Sequence, residues 1–289
     1  TLSHCDISGA GSDGGYAIVF TSIGSAEAGI DNCAIHGNKG GGIDASYADS
    51  GTRILSNRFY GNSGFPLSIN QKVACDSTNL FHEGVSAAAA SASNCVEFRG
   101  EVSQAVEFSI KERPYYIPDG INVSSALTVD AGVTVWVGDG KRIVIEGNNS
   151  SFSAEGTADA RISFCARNGT DKWDCLYFDE YADVNSLKYC SISGAGSLGA
   201  YALTYSSVGS ISATLAHCSF FGNLHGGIGV QYSGSTAAIQ TCQFGDNGDS
   251  AAGIYDIYSY GYDISAAVSD GNTAISGTNA LTVHDSSLD

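Results

Sequence analysis

The stretch Leu2 to Ser12, LSHCDISGAGS, returns as Leu187 to Ser197, LKYCSISGAGS, and this recurrence decides the fold. The same offset, Leu2 to Leu187, continues without a gap. Tyr16 and Ala17 fall on Tyr201 and Ala202, Cys33 on Cys218, Asn38 on Asn223, Ile43 on Ile228 and Phe59 on Phe244. Agreement that extends to small residues and cysteines marks duplicated structure rather than shared composition. Repeated units that each leave an apolar face uncovered bury it by stacking, so the duplication reads as a solenoid.

A shorter spacing runs inside each copy. Cys5, Cys33 and Asn57 follow one another at the same two intervals as Cys190, Cys218 and Cys242, and Ile or Phe stands two positions after each. Short apolar segments alternate with Gly, Ser and Asn turns, are rich in β-branched and aromatic residues, and show no sustained 3.6-residue period, which is a strand pattern. Strands that recur once per rung in one direction lie parallel, about 4.8 Å apart, with like side chains stacked on like. The expected fold is therefore all-β: a parallel β-solenoid with rungs of about 24 to 28 residues. Cys5, Cys33, Asn57, Cys190, Cys218 and Cys242 form one column of small residues at an inward corner. Two readings of that column stay open: disulfides between neighbouring rungs, or buried thiols that pack as small hydrophobes.

Three stretches follow along one continuous solenoid: 1–104, the first copy and a disulfide loop; 105–185, strands without an internal counterpart; and 186–289, the second copy. Residues 84–93, GVSAAAASAS, read as a loop or a short surface helix.

The formal charge of −17, with 13 Lys and Arg, argues against nucleic acid or an anionic membrane as partner, because phosphate neutralisation needs clustered cations. No apolar run reaches the roughly 18 residues of a spanning helix. The chain starts at Thr1 and contains no Met, which reads as a processed, mature product. The acidic composition leaves calcium as the one conceivable cofactor, and no cysteine or histidine spacing suggests zinc. At the offset of the two copies, Cys75 and Cys95 fall on Tyr260 and Ala280, and this joint loss suggests a bond between them; Cys165 and Cys175 flank one loop, FCARNGTDKWDC, and form a second expected bridge. Such pairs belong to an oxidising compartment. Glycosylation-type triplets stand at Asn122, at Asn148 or Asn149, and at Asn168.

Between the copies, the order PYYIPDGINVSSALTVDAGVTVWV (residues 114–137), then SFSAEGTADARISF (151–164), then DKWDCLYF (171–178) and SLKYCSISGAG (186–196) resembles secreted bacterial right-handed parallel β-helix proteins of the pectin-lyase-like superfamily. The resemblance covers nearly the whole chain and implies the fold far more than an activity, because one fold hosts many functions.

Polysaccharide lyases and glycosidases of that superfamily use carboxylates and a base on an outer sheet face. Their Asp-Asp, Gly-His-Gly, Arg-Ile-Lys and Arg-x-Pro-x-x-Arg signatures are missing here. The residual catalytic set is Asp6, Asp31, Asp44 and Asp49 with Lys39, Arg53 or Arg58, and it is confined to the first copy. A solvated polar face accounts for the same residues, and His4, His36, His217 and His225 read as surface residues or as residues with satisfied hydrogen bonds. Tyr47 and Tyr232, and the group Tyr255, Tyr258, Tyr260 and Tyr262, are the aromatic interaction candidates, able to stack on sugar or anchor an interface, and a tyrosine column that covers the solenoid accounts for the same residues.

Neither end of the sequence reads as a polar cap, and uncapped strand edges invite end-to-end contact. The leading expectation is a secreted structural protein of the extracellular space or cell surface, whose main partner is itself, stacked head to tail into a filament. A lyase or hydrolase acting on acidic polysaccharide and a non-catalytic glycan-binding adhesin are the alternatives.

Overall fold

The structure is a computed structural model that describes residues 1–21, 28–81, 94–179, 181–182, 184–206, 212–231, 238–248, 255–260, 271–275 and 280–285. Every paired strand among them is parallel, and none of these residues is helical. The strands stack as a β-solenoid of about nine turns among the described residues, with coils of roughly 26 residues. Among the described residues no helix is long and apolar enough to cross a membrane. The chain divides into two compact units: Thr1–Glu101 with Phe108–Ile117, and Val102–Glu107 with Pro118–Asp289.

In the first unit successive coils add their strands to a common set of three sheets. Asp6–Ser8, Ala34–His36 and Arg58–Tyr60 stack in one sheet, with Ile7 on Ile35 and Ile35 on Phe59. Ile18–Val19, Ile43–Ala45, Leu67–Ile69, Val96–Phe98 and Tyr115–Ile117 form another. The second unit repeats the plan, with Ile192 on Phe220 and Phe220 on Phe244. Side chains alternate in and out along each strand, so the inward residues of successive coils meet. Phe59 and Phe81 stack at 5.1 Å, Phe220 and Phe244 at 5.2 Å, and all four are buried. Such offset-stacked rings add to the area they remove from water.

Coil length varies more than the cysteine spacing predicts. The coil from Val96 to its partner Tyr115 is much shorter than that repeat, and the coil from Ile143 to Leu176 is longer. The strands are constant in placement while the turns absorb insertions, and the long coil after Ile143 carries the exposed loop 168–170. One insertion falls inside the second copy. Ile43 pairs with Leu67, whereas its equivalent Ile228 pairs with Ile257 after a longer interval. The fixed offset between the copies therefore fails beyond that coil. Tyr260 stands opposite Gln231, in a different sheet from the one that equivalence with Cys75 requires, so Tyr260 and Ala280 are not the structural counterparts of Cys75 and Cys95.

Candidate functional site

The corner column is a hydrogen-bonding device. The residue before each column member sits at positive φ: His4, Asn32 and Ser56 in the first unit, Tyr189, His217 and Thr241 in the second. This left-handed bend turns the next residue inward. There the Asn57 amide donates to the Ile30 carbonyl at 2.7 Å, and its Oδ1 accepts the Cys33 N–H at 3.0 Å. Asn79 continues the column above Asn57, and Asn272 continues it after Cys242. In the second unit the cysteine members donate to carbonyls of the preceding coil, Cys190 to Ala154 at 3.2 Å and Cys218 to Leu187 at 3.3 Å, whereas Cys33 donates within its own coil to Asp31 at 3.4 Å. The buried thiols thus find partners without bonding to one another covalently.

No disulfide joins any of the nine cysteines in the structure, which departs from the bridges expected for Cys75 with Cys95 and Cys165 with Cys175. Cys75 ends a strand of one sheet, whereas Cys95 leads into Val96–Phe98 of another. Cys165 lies on Ile162–Ala166, whereas Cys175 leads into Leu176–Phe178, again in a different sheet. Burial pushes the Cys75 and Cys175 thiols up to about 12, helped by the carboxylates of Asp76 and Asp174, and burial alone takes Cys165 to about 11. None is tuned as a nucleophile.

The residual catalytic set is divided: Asp44 and Asp49 lie apart from Arg58, which shares a groove with Asp6. Asp44 projects outward from Ile43–Ala45 and accepts from the Ser46 N–H and hydroxyl at 3.0 and 2.6 Å. Asp49 sits beyond that strand and pairs with Lys72 at 3.6 Å. Arg58 is exposed on a different sheet. It lines a shallow groove of about 420 Å³ with His4, Asp6, Asn32 and Ser56. At its side His36 bonds Asp6 at 2.8 Å and stacks on Tyr60 at 4.4 Å.

A second polar arrangement, absent from the sequence reading, occupies the outer row formed by Asp44, Ser68 and Glu97. Ser68 donates to Glu97 at 2.8 Å, and Arg99 donates to the other Glu97 oxygen at 3.0 Å. The Tyr16 phenol reaches Ser68 across the intervening coil; burial, then Glu97 and Asp44, push its ionisation up. Tyr16 lies flat because Gly41 has no side chain: a Cβ there would overlap the ring. Glu97 is only 3% exposed and already paired, so it seals this face rather than serving as one of two free catalytic carboxyls.

The second unit carries the same strap with other chemistry. Tyr201, equivalent to Tyr16, lies over Gly226 and Gly229 and stacks on Tyr258 at 5.7 Å. Tyr258 and Tyr255 stack in turn on His284, at 5.3 and 4.9 Å. Tyr260 is exposed further along the strand from Tyr258, and Tyr47 is exposed in the first unit. Tyr262 and Tyr232 lie outside the described residues. Of the glycosylation-type triplets, Asn122 is exposed on Ile121–Val123, Asn148 and Asn149 on a turn, and Asn168 on a loop. Among the described residues no three His, Cys, Asp or Glu side chains are grouped to hold a metal ion. Set against known proteins, the chain matches no protein-family model, no curated protein and no solved structure.

Proposed function

We propose that the protein is a secreted, non-catalytic β-helix of the cell surface or extracellular space that binds carbohydrate on its outer faces. The groove lined by His4, Asp6, Asn32, Ser56 and Arg58 carries this reading. Planar amide, carboxylate, imidazole and guanidinium groups match the paired hydroxyls of a sugar ring, and about 420 Å³ lies within the range of ligand sites. Dispersal of Asp44, Asp49 and Arg58 favours binding over turnover, since glycoside hydrolysis needs two carboxyl groups facing one bond. The resemblance to secreted bacterial right-handed β-helices supports the same location.

Titration of the intact chain against neutral and acidic oligosaccharides, with an assay for new reducing or unsaturated ends, tests this. Binding without product, weakened about tenfold by Arg58→Ala or Asn32→Ala, is the expected result. Product formation, or no binding to any glycan, removes the proposal.

End-on assembly into filaments is a second reading, favoured by in-register parallel stacking. A coil that seats a like coil of its own chain offers a similar surface to a second copy. Electron microscopy of concentrated protein distinguishes filaments from monomers.

A further inference from the structure

The duplicated stretches differ at three corner positions where the backbone is the same. The first copy has Asp13, His36 and Lys39; the second has Leu198, Phe221 and Leu224. These three apolar side chains are 67%, 43% and 44% exposed. Phe221 ends the strand Ser219–Phe221, and Gly222, at a φ of 62°, bends the chain toward Leu224. The Leu224 N–H donates to the Ala195 carbonyl at 2.8 Å, and Leu198 N–H to Asp174 Oδ1 at 3.1 Å. A Cβ on Gly196 would lie 3.2 Å from that of Leu224. Backbone bonds thus hold the three side chains out at one corner, and the polar first copy shows that the fold does not require them. Exposed apolar clusters with polar rims mark partner sites.

A groove of about 410 Å³ adjoins the patch, and Phe221 belongs to both. The long coil that begins at Ile143 supplies its other wall: Arg167, Asn168, Asp171 and Lys172. Lys172 makes no ion pair among the described residues, a notable feature in a chain with 30 acidic and 13 basic side chains. An unpaired ammonium at Lys172, in a groove beside an apolar ridge, is complementary to a ligand that carries a carboxylate and a large apolar group.

We propose that this corner docks an acidic peptide segment of a partner protein, with a carboxylate in the groove at Lys172 and a large apolar side chain against Phe221, Leu224 and Leu198. Two leucines beside one phenylalanine suit an aliphatic or aromatic side chain better than a sugar ring, which stacks on flat aromatic faces. The site lies within the second unit and is independent of the carbohydrate groove.

An array of short peptides that mix Asp and Glu with Leu and Phe in random order, followed by fluorescence anisotropy with the binders, tests the assignment. Control arrays replace the acids by Gln and the apolar residues by Ser. The intact chain is compared with Lys172→Glu and with Leu198→Asp/Phe221→His/Leu224→Lys, which carries the first copy's residues; circular dichroism verifies folding. Acidic-apolar peptides are expected to bind, and each variant to weaken them by about tenfold or more. The idea is overturned if no peptide binds, if acid-free peptides bind equally, or if binding survives both variants. It is also overturned if phosphatidylglycerol vesicles or polygalacturonate occupy the corner in preference to peptide, with the same loss in Lys172→Glu.

Discussion

The corner column shows why single residues here carry unequal weight. Asn57 is fully buried and ties its own coil to the preceding one by two bonds, donating to Ile30 and accepting from Cys33. Asn57→Ala strands the Cys33 N–H and the Ile30 carbonyl, and should cost about 2–3 kcal/mol in urea denaturation. Asn57→Cys should cost about half as much, because a column thiol can still donate to a nearby carbonyl, as Cys33 does to Asp31 at 3.4 Å. Thr241 presents the opposite case. It holds a φ of 54°, a conformation β-branched residues disfavour, so Thr241→Asn should stabilise by about 0.5–1 kcal/mol by the same measurement. The Cys and Asn positions were legible from spacing alone. Asn79 and Asn272 were not, because the intervals that lead to them, from Asn57 and from Cys242, fall outside the spacing the other members share.

Among the elements, each strand's inward face was readable from alternation, whereas contacts that skip across coils were not. Tyr16 and Gly41 stand a whole coil apart in the chain with nothing in the local pattern to join them, yet the Tyr16 ring lies where a Gly41 side chain would be. Gly41→Ala should destabilise by about 2–4 kcal/mol, since the methyl group meets both the ring and the Phe65 carbonyl. Tyr16→Ala in the same chain relieves only the first clash, so a double-mutant cycle should recover part of that loss; full additivity would show that the strap does not press on Gly41. The persistence of Tyr and Gly at 201 and 226 was the available signal, and it required knowing that the two coils touch.

For the whole molecule, the parallel solenoid was legible because its period is written in the spacing of like residues, while the sites were not, because outward positions obey no period. The offset that suggested joining Cys75 to Cys95 fails where an inserted turn lengthens one coil of the second copy. Free buried thiols have a measurable effect. From an ordinary value of 9.0, Cys75 and Cys175 rise to about 12 and Cys165 to about 11, so above about pH 9 the unfolded chain releases protons that the folded chain keeps. Stability is complete below that pH and falls as it rises toward the folded values. Urea denaturation at about pH 8 and about pH 10.5 should show the loss, and Ser at the three positions should flatten it. An unchanged midpoint would mean that these thiols are exposed or bonded.

The equivalence of Ala34 and Arg58 on successive coils has a consequence for ancestry. Excising the segment from Ala34 to Asn57 and joining Cys33 to Arg58 would remove one storey and set Ile7 beneath Phe59, a neighbour of the kind it already has. Slippage during gene replication can therefore add or subtract floors of such a building without redesigning its interior, a freedom closed to architectures whose strands each have a unique mate.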